Sequence, residues 1–87
     1  MTYSIIYAKR AVEDIPKLKA AGLDRKAKAL IEILKENPFE SPPPFEKLKG
    51  DMRNAFSRRI NLQHRLVYEV IEETRTVKIV KMWTHYD

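Results

Sequence analysis

The sequence contains no cysteine and no long apolar segment. Without thiols, disulfide bonds, thiolate nucleophiles and cysteine metal sites are excluded together, which favours a reducing compartment and predicts a cytoplasmic protein. No apolar run approaches the ~20 residues that a membrane span requires, so no membrane association is expected. Residues 1–7 lack a basic region and are too short for a signal peptide, and their composition predicts a strand instead.

Histidine is also scarce, with two residues in the chain and no His-x-x-x-His spacing between them. Protein metal centres are built mostly from cysteine, histidine and carboxylates brought together at particular spacings. The histidine content and spacing therefore predict no metal, and no cofactor of any other kind is expected.

The chain is short and basic, with 87 residues, a net charge of +5 and a sequence pI near 9.6. This length predicts a single domain over residues 1–87, with a modest core and a shallow surface site rather than a deep cavity. The positive charge favours RNA, DNA or an acidic protein segment as partner. Much of it lies in the N-terminal third, where it is typical of solvated helix faces.

The apolar periodicity predicts an α+β fold. Residues 2–7 alternate as a strand, and helical spacing follows at 9–20 and from Asp24 to Asn37. Pro16 is expected to kink the first helix or mark a restart. Alternation over residues 55–61, 65–70 and 74–83 predicts an antiparallel meander of three strands, with both helices packed on one face of the sheet. In the last strand, alternation places Lys81 and Trp83 on the same side as Val77 and Ile79.

A set of polar residues is spread over the predicted strands and their ends. A proline-rich connector at residues 37–45 precedes the first of them, Glu46, and is expected to present it rigidly. In-line cleavage of an RNA phosphodiester needs such groups: one removes the 2′-OH proton, cations hold the phosphate, and another protonates the leaving 5′ oxygen. Arg59 can join Arg65 on the open sheet face only through an odd-numbered loop or a bulge. The set comprises Glu46, Lys49, Arg59, His64, Arg65, His85 and Tyr86.

Three segments resemble the YoeB/Txe branch of the RelE toxin superfamily, the ribosome-dependent mRNA interferases of bacterial type II toxin–antitoxin modules. The sequence from Asn37 to Lys49 is similar to that branch's connector and its Glu-x-Leu-Lys pattern. The sequence Ser-Arg-Arg-Ile-Asn-x-x-His-Arg-Leu-Val-Tyr at residues 57–68 resembles its most distinctive motif, and His85-Tyr86 resembles its ending. The match is strong over residues 37–87 and extends to residues 1–36 only in pattern.

The resemblance implies a role for individual residues. Glu46 is expected to be the general base, His85 the general acid, and Arg65 the clamp on the transition-state phosphate. Lys49 and Arg59 are then flanking cations for substrate binding, and Tyr86 orients the scissile nucleotide. The implied reaction is metal-free transesterification of mRNA in the ribosomal A site.

The resemblance also implies partners: a cognate acidic antitoxin, the ribosome with its mRNA, and operator DNA only through the toxin–antitoxin complex. A homodimer and a monomer are both compatible with the sequence. Two other functions remain open, namely a noncatalytic toxin of the ParE type and a plain nucleic-acid-binding module. Neither would need Glu46 or His85, because a carboxylate beside phosphate weakens binding. His64 is expected to be structural, and Arg59 rather than its neighbour Arg58 is expected in the site.

Overall fold

The computed structural model describes residues 2–49 and 54–83 of the chain. In these ranges two helices pack on a five-stranded sheet, and a short 3-10 turn at Glu72–Thr74 joins the last two strands. In chain order, the elements are β1 (Ser4–Tyr7), α1 (Lys9–Ala20), α2 (Asp24–Glu36), β2 (Glu46–Lys47), β3 (Ala55–Arg59), β4 (Arg65–Ile71) and β5 (Thr76–Lys81). The α+β fold with helices on one sheet face is confirmed.

The sheet has the strand order β1-β5-β4-β3-β2 and is mixed. The expected meander forms, since β3, β4 and β5 pair antiparallel in sequence. β1 pairs in parallel with β5 at one edge of this meander, and β2 pairs antiparallel with β3 at the other edge. The two-residue strand β2 was not predicted, because alternation cannot be recognised over so few residues.

Both helices bury one apolar stripe against the same sheet face. Fully buried Ala11 and Leu18 of α1 and Leu34 of α2 join one core cluster with side chains of the sheet. The strand residues in this cluster all project to the sheet face that the helices cover. They are Phe56, Leu66, Tyr68, Val70, Val77 and Ile79. Burying each side chain of this size contributes ~1.5–3 kcal/mol, so the packing of this face accounts for much of the stability.

The helix α1 continues through Pro16, and no restart occurs there. Proline lacks the N–H that would bond the carbonyl of Val12, so this turn of the helix has one backbone hydrogen bond fewer. The helix ends in a Schellman motif at Gly22, whose φ of 71° suits glycine. The N–H groups of Gly22 and Leu23 donate to the carbonyls of Lys19 and Leu18. No helix in residues 2–49 and 54–83 has the length and hydropathy to cross a membrane.

One sequence prediction fails in β5, where the alternation is interrupted by a β-bulge. Tyr68 of β4 pairs with Ile79, but the preceding residue Val67 pairs with Lys81, so Val80 is an extra residue. An inserted residue moves each later side chain of the strand to the opposite face of the sheet from the one that simple alternation predicts. Ile79 therefore lies on the helix-covered face, whereas Lys81 lies on the opposite face, and the prediction that they share a side was wrong.

Candidate active site

The candidate site is built on the sheet face opposite the helices, where the register of β2, β3 and β4 brings a carboxylate and a guanidinium together. Glu46 pairs with Ser57, and Arg59 pairs with Arg65. Residues directly opposite each other, and residues two apart on one strand, project to the same face. Glu46, Ser57, Arg59 and Arg65 therefore share one face, although Glu46 and Arg65 are 19 residues apart in sequence.

The central contact joins Arg65 to Glu46. Arg65 Nη1 lies 3.0 Å from Glu46 Oε2 and also donates to Ser57 Oγ at 3.3 Å. The side chain of Arg65 is 14% exposed, whereas that of Glu46 is 70% exposed. The guanidinium is thus packed in a defined position, and the carboxylate remains accessible to a ligand in solution. A cation held in place can bind an anionic group without first being ordered.

The β3–β4 hairpin explains how Arg59 reaches the same face as Arg65. The N–H of Ile60 donates to the carbonyl of His64, which leaves a three-residue loop at residues 61–63. Asn61 Oδ1 accepts from the N–H groups of Gln63 and His64 and holds this loop. The odd-numbered connection expected for these two arginines is therefore observed.

Lys49 lies close to β2 in sequence and is exposed. The N–H of Leu48 donates to the carbonyl of Ala55 at 2.9 Å, so the β2–β3 pairing continues to the residue before Lys49. Arg59 lies at one end of β3, on the face of Glu46 and Arg65. Lys49 lies one residue beyond the pairing at the other end, and alternation from Lys47, which pairs with the core residue Phe56, directs it away from that face. His85 and Tyr86, the predicted acid and nucleotide-orienting residue, lie outside the described residues.

His64 is placed in the interior rather than on the exposed face. It is 3% exposed, and its ring stacks on that of Trp83 with centroids 3.8 Å apart and planes inclined by 18°. This stacking connects the β3–β4 hairpin to the residues that follow β5. The geometry supports the structural interpretation of His64.

Arg58 has a role that the sequence interpretation missed. The residue is 1% exposed and lies on the core side of β3. Its Nη1 and Nη2 donate to the carbonyls of Pro43 and Pro38 at 2.6 and 3.0 Å, and its guanidinium lies 5.0 Å from the centroid of the Phe45 ring. Arg58 therefore fixes the proline-rich connector immediately before Glu46. The alternation of Phe56, Arg58 and Ile60 was the available signal, because it placed Arg58 among apolar residues.

Tyr68 completes this anchoring of the connector. Its hydroxyl donates to the carbonyl of Pro38 at 2.8 Å and accepts from Arg58 Nε at 3.3 Å. Burial raises the pKa of Tyr68 against the opposing effect of the nearby Arg58 cation. The hydroxyl consequently remains a donor at physiological pH, as the bond to Pro38 requires.

Asp14 is a second residue whose role was not predicted. It is fully buried in α1, and its Oδ2 accepts from the N–H groups of Met82 and Trp83 at 3.0 and 3.1 Å. Arg10 and Lys17 lie within 4.0 Å of its Oδ1 and offset the buried charge. This carboxylate thus ties the chain beyond β5 to the first helix. A lone aspartate on a helix gives no sequence signal for such a long-range contact.

Comparison with known proteins agrees with this architecture. The family model for the YoeB-like toxin of bacterial type II toxin-antitoxin systems matches residues 7–86. The chain belongs to this family. The Toxin YoeB of Synechocystis sp. is 37% identical to it over 57 residues, which are 66% of this chain and 64% of that relative. The chain thus spans just under two thirds of the length of that relative.

Solved structures of YoeB toxins share the whole fold. The YoeB/ParE toxin from Agrobacterium tumefaciens superposes with a TM-score of 0.84 at 29% identity, covering 95% of this chain and 99% of that one. YoeB in the YoeB–YefM complex from Staphylococcus aureus superposes with a TM-score of 0.80 at 30% identity, covering 99% and 100%. A structure of the YoeB dimer from the same organism gives a TM-score of 0.82, also at 30% identity and with the same coverage.

Proposed function

We propose that this YoeB-family toxin is a ribosome-dependent mRNA interferase, an endoribonuclease that cuts mRNA in the ribosomal A site by acid–base transesterification. The observation that carries the proposal is the 3.0 Å contact between Glu46 and Arg65 on the sheet face opposite the helices, with Arg59 opposite Arg65. A binding module for nucleic acid has no need of an accessible carboxylate among its cations, because the carboxylate would repel phosphate.

Glu46 is assigned the role of general base. Its exposed carboxylate can accept the proton of a 2′-OH, and its contact with Arg65 holds it beside the group that binds the phosphate. The 2′ oxygen then attacks the adjacent phosphorus and forms a 2′,3′-cyclic phosphate. The bond from phosphorus to the 5′ oxygen breaks in the same step, and the departing oxygen must gain a proton.

Arg65 is assigned the clamp on the pentavalent phosphate, whose equatorial oxygens carry more negative charge than those of the substrate. A planar fork of N–H donors suits such oxygens. Removing a donor aimed at a transition-state charge typically lowers the rate ~10²–10³-fold. Arg59 and Lys49 are assigned to the flanking nucleotides, His85 to protonation of the 5′ oxygen, and Tyr86 to orientation of the scissile nucleotide.

The shape of the site supports the proposed dependence on the ribosome. The described groups lie on a sheet surface, and one carboxylate with a few cations cannot hold a flexible RNA strand in the in-line geometry. The ribosome would supply that positioning, which is worth several kcal/mol in well-oriented reactions, with an upper range of ~7–11 kcal/mol. Action on the ribosome also places the activity in the cytoplasm.

A partner is proposed by analogy with the solved relatives. The Staphylococcus aureus YoeB occurs in complex with YefM and also as a dimer. For this chain we infer a cognate acidic antitoxin that covers the sheet face bearing Glu46, Arg59 and Arg65, which we call the site face. Operator DNA would be bound only by the toxin–antitoxin complex. The site as described within one chain does not require a second copy.

The test is cleavage of a 5′-labelled mRNA on purified ribosomes programmed with that message. The wild-type protein should cut the A-site codon, and Glu46→Gln and Arg65→Ala should each lower the single-turnover rate ~10²-fold or more. Glu40→Gln and Arg25→Ala are matched controls, because both residues are exposed and lie outside the site. Full activity of either site variant would contradict its assigned role, and an intact message with the wild-type protein would reject the function.

A further inference from the structure

Lys81 lies at the end of a row of residues that crosses four strands of the site face. It pairs with Val67, Val67 pairs with Ser57, and Ser57 pairs with Glu46. Directly opposite residues project to the same face of a sheet. Lys81 and Glu46 therefore lie on one face, with the buried side chains of Ser57 and Val67 between them.

The β-bulge at Val80 is what places Lys81 there. With uninterrupted alternation, Lys81 would share the face of Ile79 and its ammonium group would point toward the apolar core. The extra residue reverses the facing beyond it, so the last residue of β5 turns to the site face. Bulges recur beside active sites because they redirect a side chain in this way.

The surroundings of Lys81 are rich in positive charge. Arg65 is two residues from Val67, which makes it a diagonal neighbour of Lys81 at ~7–8 Å between backbones, and Arg59 lies opposite Arg65. The ion pairs in the described ranges use Asp14, Glu32 and Glu46 as acids, and none of them includes Lys81. Lys81 is also only partly exposed. Lys81 and Arg65 are like charges on neighbouring strands of one sheet face, and a bound phosphate would offset the repulsion between them.

We propose that Lys81 is a further substrate-binding residue, which holds the mRNA phosphate adjacent to the one that Arg65 clamps. The inference rests on the proposed function and adds a contact that places the strand along β5. Lysine suits such a position, since its compact charge on a flexible stem can follow a phosphate without the fixed geometry that bidentate binding demands. This contact is made equally in the ground state and the transition state, so it should affect binding rather than the chemical step.

Lys78 provides the matched control. It is the same residue type on the same strand and the same face, and it is also partly exposed. It lies directly opposite Glu69, on the side of the bulge away from Arg65. A general effect of positive charge on RNA binding would involve both lysines, whereas a defined phosphate contact would involve Lys81 alone.

The experiment measures binding to ribosomes whose message carries a 2′-deoxy nucleotide at the scissile position, which cannot be cut because the attacking hydroxyl is absent. Lys81→Ala should weaken binding about tenfold and lower the slope of log affinity against log salt by ~0.7. Lys81→Arg should restore most of the affinity, and Lys78→Ala should match the wild type. On a cleavable message, Lys81→Ala should raise the half-saturating toxin concentration and leave the maximal single-turnover rate unchanged.

Ribosomes that carry no mRNA identify what Lys81 contacts. The effect of Lys81→Ala on affinity should disappear on these ribosomes. An equal loss of affinity on them would overturn the proposal, because the contact would then be with the ribosome itself. Wild-type affinity of Lys81→Ala, or an equal loss with Lys78→Ala, would overturn it as well. If the wild-type protein left a cleavable message intact, the proposed function would fail and the role of Lys81 would fail with it.

Discussion

Arg58 and Arg65 differ in exposure and in strand facing, and the roles proposed for them differ accordingly. Arg58 is buried on the core side and uses its N–H groups on the carbonyls of Pro38 and Pro43, whereas Arg65 lies on the opposite face beside Glu46. The first orders the connector that leads to Glu46, and the second is available to a phosphate. The same functional group is thus structural in one position and a proposed catalytic group in the other.

Replacing Arg58 by alanine should lower the free energy of unfolding by about 3–5 kcal/mol. The carbonyl of Pro43 loses its Arg58 donor, and the carbonyl of Pro38 and the hydroxyl of Tyr68 each lose one of their two hydrogen bonds. Arg58→Lys should recover little of this loss, since one ammonium group cannot reproduce the fork of donors. Urea denaturation of the variants measures the effect. Arg59→Ala, one residue away and exposed, is the control and should change stability by ~0.5 kcal/mol or less. Similar losses for Arg58→Ala and Arg59→Ala would show that the connector is not held by Arg58.

The assignment of acid and base to His85 and Glu46 is tested by replacing the leaving 5′ oxygen with sulfur, which departs without protonation. His85→Ala should then regain most of its lost rate, because the proton donor is no longer needed. Glu46→Ala should remain slow, because removal of the 2′-OH proton is still required. Single-turnover rates on programmed ribosomes provide the comparison. Equal slowness of both variants on the sulfur substrate would mean that His85 positions RNA instead of donating a proton.

At the scale of secondary structure elements, two sets of long-range hydrogen bonds fix the segment before β2 and the segment after β5. The connector between α2 and β2 is fastened to β3 and β4 by Arg58 and Tyr68. The end of β5 is fastened to α1 by Asp14, and Trp83 then stacks on His64 of the β3–β4 hairpin. Both sets act on segments that adjoin proposed catalytic residues in sequence.

Asp14→Ala should therefore destabilise the protein by about 2–4 kcal/mol, since the N–H groups of Met82 and Trp83 lose a buried acceptor. Asp14→Asn should cost less, because the amide oxygen can still accept. Chemical denaturation gives the energies, and hydrogen exchange at Met82 and Trp83 should accelerate more than exchange in β3. Glu13→Ala, adjacent in sequence and exposed, should be nearly neutral. Unchanged exchange at both amides in Asp14→Ala would contradict the anchoring role.

At the scale of the whole molecule, the two sheet faces differ in composition. One face is covered by α1 and α2 and contains the core, and the other carries Glu46, Arg59, Arg65 and Lys81. The net charge of +5 adds a long-range field that attracts polyanions. An mRNA on the ribosome and an acidic antitoxin would both respond to that field.

Association with the proposed acidic antitoxin should accordingly slow as salt is raised, because screening weakens the attraction that guides the encounter. Arg59→Glu on the site face should reduce the association rate more than Lys28→Glu on the exposed side of α2, although both changes alter the net charge equally. Stopped-flow mixing over a range of ionic strength measures these rates. Equal rates for the two variants would show that the antitoxin does not approach through the site face.

The sequence by itself determined the fold class, the facing of most strand residues and the family. Periodicity is a local property, so it identified α1, α2 and the three meander strands, and the motif at residues 57–68 pointed to the toxin family. For Arg59 and Arg65, the sequence set only a condition, since they share a face if the hairpin loop between them has an odd number of residues. Glu46 and Arg65 were named as partners in a site by the family resemblance, without a distance between them.

Only the tertiary structure decided which groups meet. Edge strand β2 forms because β3 offers free hydrogen-bonding groups, which two residues of sequence cannot reveal. The carbonyls that Arg58 binds and the amides that Asp14 binds come from remote segments, and no local pattern encodes such pairs. The bulge at Val80 depends on the register between β4 and β5, and it decides the face of Lys81. Local sequence sets the period of each element, whereas the register between elements is set by the packing of the whole sheet.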